Sequence, residues 1–246
     1  MSEERNELYD YINESLENKF TKDAVLKETK KSSIYVYKHK QSGKKIIERI
    51  SANRNDDVFR AVRNKNIPNF ANILEVCSTE KNLITLEEYI DGESLEEKLS
   101  ENGTLDLKTA CKYAYQICNA LNGLHERSVI HRDIKPSNII IGNDDNAYLI
   151  DMSIARTQNS ESDSDTESLG TAGYAAPEQY GIVQSNRSTD IYALGIVLNK
   201  MLTGTHPSIT IPKGAIGRII NKTTSIQISK RYSNARQLQK KLKRFI

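Results

Sequence analysis

The sequence predicts an α+β protein in two lobes, a small antiparallel β-sheet lobe followed by a mainly helical one. Two observations lead there. From about Val25 to Ile90, short runs rich in β-branched and aromatic residues alternate with turn signals. After Asp91-Gly92 the apolar residues fall instead at the three-and-four spacing of helices. A chain of 246 residues is long enough for one large domain or for two lobes sharing a cleft, and 37% apolar residues supply an ordinary core.

Leu8, Ile12, Leu16 and Phe20 recur every four residues among Glu, Asn and Lys, which predicts an amphipathic helix packed on the next lobe. Residues 1–23 are therefore read as a helical extension and residues 24–246 as one domain, divided at 90/91. Ile34 to Tyr37 and Lys45 to Ile47 flank the turn-like Gln41-Ser42-Gly43, a hairpin signal. Two further strands fit Ile73 to Cys77 and Leu83 to Tyr89, joined by a charged turn at Thr79 to Asn82. Leu107 to Glu126 places Ala110, Ala114, Ile117, Leu121 and Leu124 on one stripe, a long helix with a single apolar face. Residues 190–203 are apolar on nearly every side, which predicts a buried central helix. The last helix turns Ala235, Leu238 and Leu242 inward and Arg236, Lys240, Lys241 and Lys243 outward, a solvated face. Gln158 to Ser168 alternates Ser with acidic residues and lacks the apolar surface to order itself, so it reads as a loop.

Composition excludes several classes. A net charge of +3 from 35 basic and 32 acidic residues is too even to point to a nucleic-acid partner, and no apolar run is long enough for a bilayer, so no membrane partner is expected. The polar, acidic start lacks the basic and apolar segments of a secretory signal, which predicts a cytoplasmic protein. The three cysteines show no metal-ligand spacing, and Cys111 and Cys118, seven apart on a helical stripe, read as core thiols.

The segment that carries chemistry is His131-Arg132-Asp133-Ile134-Lys135-Pro136-Ser137-Asn138. It resembles the catalytic loop of protein kinases, and eighteen residues after Asp133 stands Asp151, where that family places its metal-binding Asp. Gly170-Thr171-Ala172-Gly173-Tyr174-Ala175-Ala176-Pro177-Glu178 resembles the end of the family's activation segment. The resemblance covers about nine-tenths of the chain and is closest to compact bacterial serine/threonine kinases. It implies a bilobal protein-kinase-like fold that transfers the γ-phosphate of ATP, with Mg²⁺, to a Ser or Thr hydroxyl of a protein, acceptors on the chain itself included.

The same resemblance assigns roles. Asp133 orients the acceptor hydroxyl and takes its proton, Lys135 lies against the transferring phosphate, and Asn138 and Asp151 hold the metal; these four are the catalytic set. Thr171 bonds Asp133 and Lys135, Asp190 holds the catalytic-loop backbone, and Glu178 pairs with Arg231. Arg132 is placed to meet a phosphate on the activation loop, with Ser160, Ser162, Ser164, Thr166 and Ser168 available. Ile34, Ile47 and Ile140 sandwich the adenine, and Glu88 and Ile90 offer it backbone groups.

The chain also departs from the pattern. Met152 and Ser153 replace the Phe and Gly after the metal Asp, and losing that Gly stiffens the backbone there. Aligned on Ile34, the Gly-rich loop reads Lys27, Thr29 and Ser32, leaving Lys30 or Lys31 at the tip to supply charge. Arg49 stands where the family has its strand Lys, with Lys44 and Lys45 as competitors. The segment before Pro68 is too short for a full helix, and Val58 falls at the position of the helix Glu. Glu87, on one strand face with Thr85 and Tyr89, is expected to pair with Arg49 in its place. These departures keep open the alternative of a pseudokinase, a nucleotide- or protein-binding module with little turnover.

Overall fold

The computed structural model describes residues 2–52, 56–158, 170–180 and 184–246, with the side chains of the first eight residues left aside. Its residues fall into two compact units, 1–66 with 71–90, and 67–70 with 91–246.

The first unit is a five-stranded antiparallel sheet with two helices. Helix α1 (Ser2–Lys19) runs directly into β1 (Phe20–Glu28), followed by β2 (Ser32–His39), β3 (Lys45–Ser51), α2 (Asp56–Val62), β4 (Ile73–Ser78) and β5 (Leu83–Glu88), in the order β1-β2-β3-β5-β4. Residues 20–23, read from sequence as the end of the helical extension, are the first rungs of β1. Lys40 explains the stop at Lys19: its ammonium donates to the Glu17 and Asn18 carbonyls at 2.8 and 3.1 Å, a cation on the negative end of a helix.

Side chains on a strand alternate between faces, so register decides what each face carries. Pairing Ile34 with Arg49, Arg49 with Thr85 and Ile47 with Glu87 collects those five residues on one face. The other face bears Tyr37, Ile46, Glu48, Ile50, Ile84 and Leu86, where Ile12 and Leu16 of α1 are buried against Cys77 and Ile84. Lys27 pairs with Ile34, and Thr29 closes the turn to Ser32 with two backbone-linked bonds at 3.0 and 3.1 Å, which leaves Lys30 and Lys31 at the tip of the β1–β2 hairpin. Helix α2 fits in the seven residues from Asp56, short as expected, and buries Val58.

The second unit continues with β6 (Gly92–Ser94), α3 (Leu95–Asn102), α4 (Leu107–Glu126), β7 (Val129–Ile130), β8 (Ile139–Gly142), β9 (Ala147–Leu149), β10 (Arg156–Thr157), α5 (Arg187–Thr203), α6 (Gly214–Thr223) and α7 (Ala235–Leu242). Asp106 caps α4 through Lys108 and Thr109, which fixes its start. Cys111 and Cys118 are fully buried on it, and burial pushes the Cys111 thiol up to about 12, as a core thiol behaves. Residues 67–70 join this unit because Asn69 bonds the Ala147 carbonyl and Asn119, while Leu149 donates back to Asn69. Helix α5 is buried along most of its length and ends at Gly204 in the left-handed conformation. The ten residues from 204 to 213 form no helix; the Asn199 amide holds them by bonds to the Thr205 and Thr210 carbonyls, both 2.9 Å.

Candidate active site

Three short segments of the second unit meet around Asp133. The loop between β7 and β8 carries it, and its shape is set from below by Asp190 in the first turn of α5. One carboxylate oxygen of Asp190 accepts the Arg132 amide at 2.8 Å; the other accepts the His131 amide at 3.0 Å and the His125 ring at 2.8 Å. Full burial works against the ionised form of Asp190, yet the His125 hydrogen bond, the nearby His charges and the Arg132 amide outweigh it and hold the carboxyl below its ordinary value. That grip sustains Arg132 at φ +70°, a left-handed conformation that a non-glycine residue keeps only when its surroundings enforce it.

On this base the side chains converge. Lys135 Nζ lies 2.7 Å from one Asp133 oxygen and donates to the Thr171 hydroxyl at 2.8 Å, while that hydroxyl donates to the other Asp133 oxygen at 2.7 Å. Asn138, in a 3₁₀ turn started by Pro136, directs its amide N–H to both the carbonyl and the carboxylate of Asp133 at 2.9 Å. Because the nitrogen is spent on Asp133, the oxygen of that amide is the end available for other chemistry.

Asp151 is carried into register by its neighbour: the Ile150 amide bonds the Asn138 carbonyl at 3.0 Å, and the Ile150 carbonyl meets the His131 ring at 3.1 Å. Asp151 itself sits at φ +65°, a second left-handed non-glycine residue within the site. Its carboxylate accepts the Ser153 amide at 3.0 Å. Met152 is buried, 2% exposed, where a flexible apolar side chain can pack. One carboxylate and one amide oxygen form an all-oxygen donor pair of the kind Mg²⁺ takes alongside water and phosphate oxygens, so these residues suit that ion.

Glu178 and Arg231 form a two-pronged buried pair at 2.6 and 2.8 Å, and Thr189 donates to Glu178 at 2.9 Å. Burial opposes ionisation of Glu178, but the guanidinium holds its carboxyl below the usual range. Gln179, which the sequence reading passed over, is 2% exposed; its amide donates to the Arg132 carbonyl and accepts the Ala176 amide, both at 2.9 Å. Its only signal in the sequence is its place beside the Ala-Pro-Glu run, since burial of a Gln has no periodic signature. His125 was also missed, because a histidine on a helix says nothing of the Asp 65 residues away that it meets.

In the first unit Arg49 and Glu87 form an ion pair at 2.9 Å, with side-chain exposures of 10% and 7%, and the Thr85 hydroxyl donates to Glu87 at 2.7 Å. Of the competitors, Lys45 pairs with Asp23 at 2.7 Å and Lys44 lies exposed in the β2–β3 turn. Glu88 bonds Asn72 through both its amide and its carboxylate. Ile34, Ile47 and Ile90 are half-buried in this unit, and Ile140 is half-buried on β8 of the other. Ser160, Ser162, Ser164, Thr166 and Ser168 lie outside the described residues.

Comparison with known proteins agrees with this geometry. Residues 20–246 match the family described as protein kinase domain. The chain is 34% identical over 148 residues to a probable serine/threonine-protein kinase of Clostridium perfringens, which is 60% of this chain and 22% of that protein. It is 37% identical over 141 residues to the serine/threonine-protein kinase PrkC of Bacillus subtilis, 57% of this chain and 22% of that one. A rat protein named cyclin-dependent kinase-like 2 is 35% identical over 162 residues, 65% of this chain and 31% of its own length. The matched stretch thus spans about a fifth of the length of the bacterial relatives. With a domain match over nearly its whole length and the catalytic-loop residues gathered around Asp133, the chain belongs to the protein kinase family.

Proposed function

We propose that the chain transfers the γ-phosphate of ATP, with Mg²⁺, to Ser and Thr hydroxyls of proteins, its own included. The observation that carries this reading is the closed network of Asp133, Lys135, Asn138 and Thr171. Phosphoryl transfer asks little covalent chemistry of a protein and much alignment of charge. Asp133 has the geometry to accept a proton from a hydroxyl that displaces Thr171 from its carboxylate. Lys135, already bridging Asp133 and Thr171, is the cation next to the acceptor and offsets the charge that spreads over the moving phosphoryl group. The position beside Asp133 and Lys135 that the Thr171 hydroxyl holds is sized for a small aliphatic hydroxyl, which favours Ser and Thr over Tyr. When bound, Mg²⁺ would neutralise the ATP phosphates, and the Asn138 amide oxygen and the Asp151 carboxylate are the groups to hold it.

Arg49 has the permanent charge and forked donors to clamp phosphate oxygens, and Glu87 keeps that fork oriented. Lys30 and Lys31 would add charge at the hairpin tip. In the first unit Ile34 and Ile47 would offer an apolar face to an adenine, with backbone groups of Glu88 and Ile90 at its edge. Among the described residues no helix is long and apolar enough to cross a membrane. Use of ATP as the phosphate donor favours the cytoplasm as the place of the activity.

Mass spectrometry after incubation with ATP and Mg²⁺, beside Asp133→Asn, tests the reading. Phosphate on Ser or Thr in the wild type, slowed about 10²- to 10⁴-fold in the variant, is the expected result. A thermal shift with ATP, worth about 2.7 kcal/mol at a hundred times the dissociation constant, should persist in both. Equal labelling of the two proteins, or nucleotide binding without any transfer, would overturn it.

A further inference from the structure

The charge of this chain is balanced overall and strongly uneven along its length. From Ile191 to the last residue there are eleven lysines and arginines and not one aspartate or glutamate, so the preceding 190 residues carry eight more acids than bases. Helices α6 and α7 lie wholly inside that basic stretch. Between them and the 3₁₀ turn Lys243–Phe245 is a cavity of about 350 Å³.

The rim of this cavity is Arg218 and Lys222 from α6, and Lys241 and Arg244 from α7 and the turn after it. All four are exposed, and among the described residues none is paired with a carboxylate. Four like charges around one opening repel one another, an arrangement with no benefit to the fold alone. The floor is apolar: Ile219 and Tyr232 are nearly buried and Phe245 half-buried, and Lys222 Nζ sits 4.8 Å from the centre of the Tyr232 ring. The Arg231–Glu178 pair anchors the residue next to Tyr232, so the floor is held by the buried core of the unit.

We propose that this groove is a docking site for an acidic protein segment that carries one apolar or aromatic side chain. The apolar residue fills the cavity, and the flanking carboxylates meet the four cations. Size and shape select this occupant. The volume suits one or two side chains and excludes a duplex, while the recessed floor keeps its apolar atoms out of reach of a flat bilayer behind a rim of exposed cations. The positive rim steers an acidic chain toward the groove, and the buried anchor slows its departure. Resting on the kinase reading, the segment belongs to protein substrates: tethering there raises the local concentration of an acceptor elsewhere on the same chain.

The test has a binding arm and a transfer arm. In the first, fluorescence anisotropy follows a labelled peptide of alternating Asp and Glu around one Phe, without ATP. Wild type should bind it, more weakly as salt rises, and Arg218→Glu with Lys241→Glu should lose at least about tenfold in affinity at unchanged thermal midpoint. Phe245→Ala, which leaves the charge alone, should lose severalfold. A single-stranded oligonucleotide of equal charge and phosphatidylserine vesicles serve as rival probes; tighter binding of either one, lost in the double variant, would overturn the assignment, as would peptide binding that ignores all three substitutions.

In the second arm, one Ser-containing acceptor peptide is compared with and without the acidic segment attached by a flexible Gly-Ser linker. The tethered form should show roughly tenfold higher kcat/KM in wild type and no advantage in the double variant, whose transfer to the bare acceptor stays unchanged. Transfer at equal efficiency to both peptides would refute substrate docking and leave the kinase reading intact. Groove-dependent binding with no transfer to either peptide would refute the kinase reading and keep the docking site.

Discussion

The Arg49–Glu87 pair offers a double-mutant cycle whose outcome follows from burial. Both side chains are about nine-tenths buried on adjacent strands, 2.9 Å apart at the closest atoms, and Glu87 also accepts the Thr85 hydroxyl. Glu87→Leu removes the carboxylate that the buried guanidinium holds, and breaking a buried pair from one side costs about 3–5 kcal/mol. Arg49→Met, the reverse cut, should fall in the same range. With both replaced, an apolar pair of similar volume fills the face and the desolvated charges are gone, so the cost should shrink to about 1 kcal/mol, that of a Thr85 hydroxyl without its acceptor. The coupling energy should therefore exceed about 2 kcal/mol. Urea unfolding followed by tyrosine fluorescence reads it in a chain with 12 Tyr and no Trp. Single-variant losses that simply add in the double variant would refute the argument. Nucleotide affinity supplies a second readout: with Arg49 in its proposed role as phosphate clamp, the double variant should recover stability without recovering the ATP-induced thermal shift.

Other positions give further expectations. Glu178→Ala should cost about 3–5 kcal/mol by stranding Arg231 in the core, measured as a lowered urea midpoint. Glu178 and Asp190 both have depressed carboxyls, so the stability they add is complete above their ordinary values of 4.5 and 3.8 and is lost as pH falls through the lower folded values; an acid titration of the far-ultraviolet circular dichroism of Asp190→Asn should lack part of that loss. Glu48 has the opposite sign. Burial raises its carboxyl above 4.5 despite a hydrogen bond from Tyr37 and the nearby Lys22 charge, so its ionised form costs stability at neutral pH. Glu48→Gln should raise the urea midpoint at pH 7, with the gain fading toward pH 4. Gly217→Ala should cost about 1–3 kcal/mol or more by thermal unfolding, because the added methyl would lie 1.8 Å from the Pro212 carbonyl oxygen.

How much of this was legible in the sequence depended on whether the signal was local. The catalytic loop packs Asp133, Lys135 and Asn138 into six residues, so their meeting is written in the spacing. Helix α4 was readable to its ends because Asp106 caps an unbroken apolar stripe. The Arg49–Glu87 pair could be inferred because strand pleating fixes which residues share a face once register is known. What escaped lacks such periodicity. Phe20 has the four-residue spacing of the helix before it, yet it opens β1, because the helix end at Lys19 is fixed by Lys40, which lies twenty residues beyond Phe20 in the chain. Buried polar residues such as Glu48, His125 and Gln179 look like surface positions until the partner that accepts them is known. The cations of the last helix read as a solvated face and are exposed, but one helix taken alone does not show that Lys241 shares a cavity rim with Arg218 and Lys222 of α6.

Helix α1 covers the sheet face opposite Arg49 and Glu87, with Ile12 and Leu16 pressed onto Cys77 and Ile84. A protein started at Phe20 would keep every catalytic-loop residue and still lose its roof. Water would reach Ile46, Ile50 and Leu86 as one greasy strip on a twisted sheet, the kind of surface that recruits a second molecule. The same opening would rehydrate Glu48 and relieve its burial. The leading helix thus keeps this strip from solvent, and a chain started at Phe20 should aggregate more readily than the full one, as light scattering would show.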